Sequence, residues 1–303
     1  MQKPTNHYLR PLLLLCFLPL FAGHALAQAP SAAQCRELRV MTFNIRYGSA
    51  PDGQDQWSNR RQTLFDLIAR NRPDIVGLQE ALRFQIGEIL AAAPGYQTFG
   101  VGREDGKEAG EHSAVLYRTE RLAVAEHSDF WFSDTPEAPG SRSWGNEITR
   151  ICSWGRFTDR VTGKSFYLYN LHLDHLSQPS REKSAVLLME RISSRGSPDP
   201  VIVTGDFNAG ESNPALRYLK GEAVIEGAAR PEIAFRDSFR ALHPDATEVG
   251  TYHAFKGTLT GDKIDYILIG PSIDVREASI LRDEQGGHYP SDHFPVTATL
   301  RLP

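Results

Sequence analysis

The sequence Val201-Ile-Val-Thr-Gly-Asp206-Phe-Asn208 is an apolar run that ends abruptly in polar residues. Its apolar and β-branched residues predict a buried strand, and Gly205 marks the end of that strand. Asp206 and Asn208 are two positions apart, so their side chains point the same way if the chain stays extended. A carboxylate and an amide aimed together can hold a hard cation, a water or a phosphate oxygen. An Asp-x-Asn turn after the strand is the alternative interpretation.

Further apolar segments predict a chain with many strands and a few helices. Helical spacing predicts helices over residues 59–69, 82–92 and 180–192, and Asn213-Pro214 predicts the start of another. The predicted strands cover residues 38–44, 74–80, 96–101, 113–118, 121–126, 151–158, 165–171, 263–269, 273–281 and 294–300. This pattern suggests an α/β protein in which two packed sheets have helices outside them. We see no internal repeat or linker, so residues 38–303 are predicted to form one domain.

Two segments lack any regular pattern. Residues 102–112 are charged and rich in glycine, and residues 128–149 contain Trp131 and Trp144. Loops of this length are uncommon unless they are functional, so we expect a rim that selects the substrate. Solvated surface loops are the alternative, and the tryptophans are equally compatible with core packing or sugar stacking.

The first 27 residues are typical of a secretory signal peptide. Lys3 and Arg10 precede an apolar run at residues 12–22, and Ala25-Leu-Ala27 supplies a cleavage pattern. The run is too short to span a bilayer comfortably. We therefore expect a signal peptide (1–27), an N-terminal segment (28–37) and the domain, with no transmembrane segment after cleavage. The mature protein is expected to be a periplasmic or secreted monomer.

The net charge bears on whether the chain binds nucleic acid, and the cysteine content leaves open whether a disulfide forms. The net charge is −4, and removing the signal peptide makes the chain more acidic. This argues against tight binding of nucleic acid through a broad basic face, but it is compatible with a nuclease that has a local basic rim. Export permits a disulfide between Cys35 and Cys152. Two buried thiols are equally plausible, because Cys152 lies in an apolar strand.

Polar side chains close or interrupt the apolar segments. They are Asn44, Glu80, Tyr117, Arg150, His172, Asp206, Asn208, Asp265, Asp292 and His293. Each has a structural alternative: Glu80 could cap a helix, Asp265 could pair with Lys263, and His172 could be a core histidine. So many chemically coherent residues at strand ends are harder to explain structurally, and we expect them to share a site.

Some of these residues suit a hard metal ion. Glu80 and Asn44 offer oxygen ligands of the kind that Mg²⁺ or Mn²⁺ prefers, and these ions also bind substrate phosphate. The sequence that follows the signal peptide has no thiolate cluster and no HExxH pattern, which weakens the case for zinc.

The other residues suit proton transfer and phosphate binding. His293 beside Asp292, with Asp265 available to orient the imidazole, could be a general base or acid of tuned pKa. Donors for charge on phosphoryl oxygens are Arg150, Tyr117 and Asn208. Neither a Ser-His-Asp elbow nor a P-loop is present, so we expect attack by a metal-assisted water.

The motifs around these residues, taken in order, resemble the endonuclease/exonuclease/phosphatase superfamily, with its deoxyribonuclease I-like fold. They are Thr-Phe-Asn44-Ile-Arg, Pro-Asp-Ile-Val-Gly-Leu-Gln-Glu80, Ala-Val-Leu-Tyr117-Arg, Asn-Leu-His172-Leu-Asp-His175, Gly-Asp206-Phe-Asn208, Lys-Ile-Asp265-Tyr-Ile and Ser-Asp292-His293. The resemblance extends from about residue 38 to the end. It implies a four-layer α/β/β/α sandwich of two packed mixed sheets flanked by helices, with the site at one edge of both sheets.

The resemblance also implies metal-binding residues. Glu80, assisted by Asn44, would bind the catalytic Mg²⁺ or Mn²⁺. Asp206 would act at the metal and, with Asn208, position the attacking water and the phosphoryl oxygens. Asp292 would serve a second metal position.

The resemblance further implies catalytic residues around the phosphate. His293, oriented by Asp265, would be a base or a charge stabiliser. His172 would be a general acid or a phosphate donor, with Tyr117 and Arg150 also on the phosphate. The sequence does not decide which histidine is the base and which is the acid.

Other features bear on the substrate. Leu82 stands where secreted deoxyribonucleases of this family carry Arg, two residues after the metal-binding Glu. His175 and His253 are additional candidates for substrate binding, and the motif of His175 is similar to the phosphatase and sphingomyelinase-like side of the family. Trp144 is a further candidate for the substrate rim. For His253, a turn residue before a strand is the alternative.

We therefore expect an exported, divalent-metal-dependent phosphoesterase that hydrolyses a phosphomonoester or phosphodiester by direct water attack. The acidic charge and Leu82 favour a phosphorylated small molecule or a lipid-linked phosphoester over duplex DNA. The alternative within the fold is a secreted deoxyribonuclease I-like nuclease, for which nucleic acid is the substrate. A non-catalytic binding module on the same scaffold is the third interpretation.

Overall fold

The computed structural model describes residues 1, 2, 4 and 36–303. In this part of the chain, the strands, numbered in chain order, form two six-stranded sheets. The first sheet has the spatial order β11 (Asp274–Ile280), β12 (Val296–Arg301), β1 (Leu38–Asn44), β2 (Ile75–Gln79), β4 (Val115–Arg118) and β3 (Tyr96–Phe99). The second has the order β5 (Leu122–Trp131), β6 (Ile151–Asp159), β7 (Ser165–His172), β8 (Val201–Asp206), β10 (Asp265–Ile269) and β9 (Arg236–Asp237). The helices are α1 (Trp57–Asn71), α2 (Arg83–Ala92), α3 (Gln178–Ser193), α4 (Pro214–Leu219) and α5 (Ser238–Leu242).

Both sheets are mixed, and their parallel pairs bring strand ends together. β1 lies parallel to β2, and β7 lies parallel to β8, while the other pairings are antiparallel. A parallel pair needs a long crossover, which α1 and α3 provide. The carboxyl ends of paired parallel strands therefore lie at the same edge, where Asn44 is opposite Gln79 and His172 is opposite Asp206.

Three apolar layers separate the four layers of secondary structure. Side chains alternate along a strand, so Val40 faces the second sheet and Met41 faces α1 and α2. The layer between the sheets also contains Ile202, and the outer face of the second sheet packs on α3 and α4 through residues such as Leu188. The predicted four-layer α/β/β/α sandwich is thus confirmed.

A buried polar network joins the two sheets below the strand ends. Asn170 of β7 donates to the carbonyl of Leu78 at 2.8 Å and accepts from Gln79 Nε2 at 2.7 Å. Thr204 Oγ1 donates to the same Asn170 oxygen at 3.0 Å. Gly77 is required here, because a Cβ at this position would lie 2.3 Å from Asn170 Oδ1. The network sets the position of one sheet edge relative to the other.

The predicted elements agree with the structure except in a few places. Asn213 caps α4 as predicted, because its Oδ1 accepts from the amide of Ala215 at 3.0 Å. β5 is longer than expected and reaches Trp131, which is buried and donates from Nε1 to the carbonyl of Arg103 at 2.6 Å. This places Trp131 in the core and not on a rim. The short β9 and α5 were not predicted, because neither is long enough to show a periodic pattern.

Only one of the two cysteines of the predicted disulfide lies within the described residues. Cys152 is buried in β6, whereas Cys35 and the predicted signal peptide, apart from residues 1, 2 and 4, lie outside them. Among the helices of the described chain, none combines the length and the hydropathy needed to cross a membrane.

Candidate active site

The polar residues at the strand ends meet in one cavity of about 400 Å³. The first sheet contributes the ends of β1 and β2 and the segment before β12; the second contributes the ends of β7 and β8 and the start of β10. β10 and β12 run antiparallel to their neighbours, so the residues that precede them lie at the same edge. The cavity is lined by Arg46, Tyr47, Glu80, Arg103, Glu111, Ile148, Arg150, His172, His175, Asp206, Asn208, Tyr252, Ile264, Asp292 and His293.

Asp206 lies at the centre of the buried groups. Its Oδ2 accepts from Asn44 Nδ2 at 3.0 Å and lies 3.5 Å from Nε2 of His172 and 3.8 Å from Nε2 of His293. Burial and the negative charge of Asp265 raise the pKa of Asp206 to about 7. A carboxyl group that titrates near neutral pH can both accept and release a proton during a reaction.

His293 forms a tight pair with Asp265. Its Nδ1 lies 2.9 Å from Asp265 Oδ2, which leaves Nε2 directed towards Asp206. Burial lowers the pKa of His293, but the contacts with Asp265 outweigh burial, and the pKa is raised to about 10. The imidazole is therefore cationic at neutral pH, and Asp265 orients it as predicted from the sequence.

His172 has the opposite protonation state. Burial and the positive charge of Arg150 lower the pKa of His172 well below its ordinary value. Two histidines on either side of Asp206 thus differ in charge at neutral pH, which the sequence alone could not show. The cause is that His293 has a carboxylate on its second nitrogen, whereas Nδ1 of His172 has no hydrogen-bond partner among the described residues.

The amide of Asn44 is hydrogen-bonded at both ends, and its role as a metal ligand stays a prediction. Its Nδ2 donates to Glu80 Oε1 at 3.1 Å and to Asp206, while its Oδ1 accepts from the amide of Arg46 at 3.0 Å. Because both ends of the amide are engaged, Asn44 orients the two carboxylates. Glu80 adopts a left-handed backbone with φ of 58°, and its Oε2 accepts from the amide of Tyr47 at 3.1 Å.

A buried arginine from α1 supports the two segments on the Glu80 side. Arg60 is 1% exposed and donates to the carbonyls of Ile45 and Arg46, and also to that of Pro290. These bonds join the turn after β1 to the segment that carries Asp292. Sequence reasoning missed Arg60, because a helical arginine shows no sign of burial in the sequence.

Two arginines of the lining differ in how their charge is balanced. Arg46 makes two hydrogen bonds to Asp52, at 2.9 and 3.1 Å, and lies 3.9 Å from Asp292. Arg150 is buried, with Nε 3.4 Å from Asp174 and Nη2 2.8 Å from His175 Nδ1. The structure thus brings Arg150 and His175 to the cavity together, as expected from the sequence.

Asn208 lines the cavity, but the predicted alternation along an extended strand does not place it there. β8 ends at Asp206, and Asn208 has a left-handed φ of 47°, so the two side chains do not follow strand alternation. The amide of Asn208 donates to Asp206 Oδ1 at 2.9 Å, and Nδ2 donates to the carbonyl of Leu173 at 3.0 Å. The Asp-x-Asn turn, the alternative interpretation, is the observed structure.

Asn44 and Asp265 reach the lining through hydrogen bonds to Glu80 and His293, and three further candidates do not belong to the lining of this cavity. Tyr117 lies opposite Ile75 at the start of β2, and so at the far end of that strand from Glu80; its hydroxyl donates to Gln97. His253 is buried and stacks on Phe294 at 3.9 Å between ring centroids. Tyr117 thus lies away from the cavity and His253 packs on an aromatic ring, while their roles in the reaction stay predictions.

Trp144 is the third of these. Its Nε1 donates to Asp134 at 2.7 Å, and its ring lies 5.8 Å from Lys183 of α3. The indole therefore packs beside α3 and does not line the cavity, and its role at a substrate rim stays a prediction. The backbone carbonyl of Trp144 accepts from Ser177 Oγ at 2.7 Å, a contact that ties this loop to α3.

Sequence reasoning also missed an ion pair in the cavity wall. Arg103 and Glu111 come from the charged loop after β3 and pair through two contacts of 2.7 Å. The loop itself was expected to be functional, but it contains several charged residues with no periodicity. Which of them turn inwards depends on contacts with other loops.

The buried acids provide a donor set that fits a divalent cation. Ligand atoms of Asp206, Asp265 and His293 all lie within 4.8 Å of one another, a spacing that a metal ion could bridge if the imidazole were neutral. Burial, with a contribution from the charge of Glu80, raises the pKa of Asp292, which indicates that these two acids are close neighbours. Clustered carboxylate oxygens are the ligands that hard cations prefer.

Comparison with solved structures shows the same architecture in other proteins. An endonuclease/exonuclease/phosphatase family protein from Bacteroides thetaiotaomicron is 34% identical, with a TM-score of 0.79 over 88% of this chain and 98% of that one. A mannosyl-6-phosphatase from the same organism is 35% identical, with a TM-score of 0.76 over 87% and 99% of the two chains.

Sequence comparison with curated proteins gives more distant relatives. Drosophila melanogaster nocturnin is 22% identical over 98% of this chain, and the chain spans 52% of the length of that relative. The family model described as "Endonuclease/Exonuclease/phosphatase family" matches residues 41–293, which contain all the strand-end residues of the cavity. The sandwich, the position of the cavity and the similarity over most of the sequence agree: the chain belongs to the endonuclease/exonuclease/phosphatase family.

Proposed function

We propose that this chain is a divalent-metal-dependent phosphoesterase that acts on small phosphorylated molecules, with sugar phosphomonoesters as the first candidates. The family relationship supports hydrolysis of phosphoesters. The similarity to a mannosyl-6-phosphatase, at 35% identity over nearly the whole of that chain, supports the sugar phosphate.

The cavity is the observation that carries this proposal. Its volume of about 400 Å³ lies within the range of small-ligand pockets. The strand-end side chains Glu80, Asp206, Asp292 and His293, which we call the floor, line it together with the guanidinium groups of Arg46 and Arg150. Such an arrangement suits a phosphate bound between a cation on the floor and donors on the wall.

Glu80, Asp206 and Asp292 are the residues that would hold Mg²⁺ or Mn²⁺, since their oxygens suit hard cations. The bound ion would neutralise charge on the phosphoryl oxygens and lower the pKa of a water. Asn44 orients two of these carboxylates through its Nδ2.

Buried groups of the cavity, Asp206 among them, also handle protons. Asp206, with a pKa of about 7, is the candidate base for the attacking water. Cationic His293 would donate from Nε2 to a phosphoryl oxygen, and its charge would be held by Asp265. Neutral His172 and buried Arg150 complete the donors around the phosphate.

We also propose that the protein is exported to the periplasm or the medium and acts as a monomer. The support is the sequence of residues 1–27, which has the charge, apolar run and cleavage pattern of a signal peptide. Such a location would give the enzyme substrates from outside the cell.

A substrate panel tests the proposed function. Purified protein would be assayed with hexose 6-phosphates, p-nitrophenyl phosphate, bis-(p-nitrophenyl) phosphate, phospholipids, plasmid DNA and RNA, each with Mg²⁺, with Mn²⁺ and with EDTA. We expect metal-dependent release of inorganic phosphate from the monoesters, with the highest kcat/KM for a sugar phosphate.

Asp206→Asn provides the control for contaminating hydrolases, because this near-isosteric change should remove every genuine activity. Plasmid nicking or RNA degradation that exceeds monoester hydrolysis and is lost in Asp206→Asn would establish the nuclease instead. Absence of hydrolysis with every substrate and metal would favour the binding module.

A further inference from the structure

We propose that Arg103 and Glu111 form a subsite that binds hydroxyl groups of the leaving group, and so select a polyhydroxylated phosphomonoester. The inference rests on the proposed function and deepens it, because it assigns recognition of the sugar to two residues. Neither residue lies at the end of one of the central strands of the sheets.

The pair is fixed in the cavity wall with one edge accessible. Arg103 Nη1 and Nη2 donate to separate oxygens of Glu111, each at 2.7 Å. The Arg103 side chain is 10% exposed and that of Glu111 is 16% exposed. Both line the cavity beside Glu80, Arg150 and His172. A group bound to the pair is therefore adjacent to the proposed metal and phosphate position.

The backbone holds this pair at a defined place. The amide of Arg103 donates to the carbonyl of Glu111 at 3.0 Å. The next residue, His112, donates from its amide to the carbonyl of Ala81 at 2.8 Å. Since Ala81 directly follows Glu80, this bond places Glu111 next to a proposed metal ligand.

A second loop fixes the pair from outside. The carbonyl of Arg103 accepts from Nε1 of buried Trp131. Gly140 packs against the loop so closely that a Cβ there would lie 2.5 Å from the carbonyl of Glu104. A subsite held by two docked loops is preorganised, which reduces the entropy lost when a ligand binds.

The charge balance indicates a hydroxyl group as the ligand of the pair. The carboxylate of Glu111 neutralises Arg103 and would repel a phosphate dianion placed beside it. In the paired geometry each Nη keeps one further N–H, and each carboxylate oxygen keeps a lone pair. A hydroxyl can donate to the carboxylate and accept from the guanidinium at the same time, so neighbouring hydroxyls of a sugar match the pair.

The surface beyond the pair extends the same chemistry. An adjoining depression of about 420 Å³ shares Arg103 and is lined by Glu104, Arg142, Glu147 and Thr149 among others. Polar side chains on all sides suit further hydroxyls of a leaving group larger than one sugar ring. They do not suit an acyl chain, which would leave these groups without partners.

The test combines changes in the enzyme with changes in the substrate. Mannose 6-phosphate, its monodeoxy analogues and p-nitrophenyl phosphate would be assayed with wild-type protein and with Glu111→Gln and Arg103→Met. We expect the variants to lower kcat/KM for mannose 6-phosphate by roughly 10- to 100-fold, as for loss of a hydrogen bond to a charged group. Hydrolysis of p-nitrophenyl phosphate, which lacks hydroxyls on its leaving group, should change by less than about threefold.

Glu108→Gln is the matched control. Glu108 belongs to the same loop but is 75% exposed and pairs with Arg83 at 3.5 Å. We expect it to leave kcat/KM unchanged for every substrate. On the substrate side, removing the hydroxyl that contacts the pair should lower the wild-type rate but not lower the rate of Glu111→Gln further, as expected for interacting partners.

The outcomes separate this inference from the proposed function. If wild-type protein hydrolyses the monoesters but the variants lose sugar and aryl substrates equally, the pair binds phosphate or serves the fold, and the subsite is refuted. Equal wild-type rates for mannose 6-phosphate and all its deoxy analogues would refute it without any variant. If wild-type protein hydrolyses no monoester at all, the proposed function fails and the inference fails with it.

Discussion

The floor of the cavity and its loop wall contain similar side chains in different electrostatic settings. On the floor, buried Asp206 faces Asp265, and burial together with this like charge raises its pKa to about 7. On the wall, Glu111 faces Arg103; burial raises its pKa to about 7 as well, but the guanidinium opposes the shift. Among the described residues Asp206 thus has no arginine in salt-bridge contact, whereas the acid on the wall has one at 2.7 Å.

This difference indicates that the floor and the wall have different roles. Carboxylates that repel one another destabilise the fold and are retained where a metal ion or a proton can neutralise them. A carboxylate bonded to arginine through both oxygens is held in one orientation, so the pair can present fixed donors and acceptors to a ligand. Changes on the floor should therefore affect turnover of every substrate, and changes on the wall should affect selectivity.

The largest effect is expected from Asp206→Asn, at the centre of the floor. Loss of the carboxylate removes the candidate base and one metal oxygen, so kcat should fall by about 10³-fold or more for all substrates. Steady-state kinetics would be compared with thermal unfolding of the same variant to exclude misfolding. Residual activity above about one tenth would contradict the central position that we assign to Asp206.

The second effect concerns the His293–Asp265 pair. His293→Ala and Asp265→Asn should each lower kcat by roughly 10²- to 10³-fold, and the double variant should lose little more than either one. The reason is that Asp265 acts through the imidazole, to which it is bonded at 2.9 Å. Losses that multiply in the double variant would show that the two residues act independently.

A smaller effect, on metal dependence, is expected for Glu80→Gln. The concentration of Mg²⁺ that gives half-maximal activity should rise roughly tenfold or more, with partial recovery at saturating metal. Titrations of Mg²⁺ against wild-type, Glu80→Gln and exposed Glu108→Gln would measure it. An unchanged Mg²⁺ requirement in Glu80→Gln would remove this residue from the metal site.

The floor should also make the stability of the metal-free protein depend on pH. Because the pKa of His293 is raised from 6.5 to about 10 in the folded state, its contribution is complete below pH 6.5 and is lost as pH rises towards 10. The free energy of unfolding should therefore fall across this range in EDTA, and by less in His293→Ala. Urea denaturation at several pH values would measure the difference; equal slopes would argue against a cationic His293.

The smallest effect is expected from Tyr117→Phe. Tyr117 lies on the same sheet as the strand that precedes Glu80, but far from the floor. Its hydroxyl bonds to Gln97 at the surface, so kcat and KM should stay within about twofold of wild type. A tenfold or greater loss of kcat/KM with the full panel of substrates would show that Tyr117 belongs to the active site. It would also weaken the contrast between strand ends and other strand positions.

Much of the floor could be predicted from the sequence, because the polar residues interrupt apolar strands. Asn44, Glu80, His172 and Asp206 end or follow such strands, and parallel pairing places two of these ends side by side in each sheet. The pattern of strands and helices suggested two packed sheets with helices outside, and the resemblance to a known family specified the four-layer sandwich. The location of Tyr117 could not be predicted, because position in a strand does not reveal which end of the sheet a residue occupies.

The wall could not be predicted in the same way. Arg103 and Glu111 lie in an irregular loop. Their direction depends on two hydrogen bonds to distant parts of the chain: Trp131 donates to the carbonyl of Arg103, and the amide of His112 donates to the carbonyl of Ala81. The charge of the two histidines was equally inaccessible. It depends on which neighbour occupies the second ring nitrogen, and this is settled by packing between the two sheets.

The sequence by itself determined the strands, the kinds of side chain at their ends and the presence there of oxygen donors that suit a metal ion, since periodicity and side-chain chemistry are local properties. Only the tertiary structure decided that Asn44 orients carboxylates, that His293 and His172 differ in charge, and that Arg103 and Glu111 face the cavity. The physical reason is that burial, hydrogen bonding and Coulomb interactions arise between residues far apart in the chain, and these interactions set both direction and protonation.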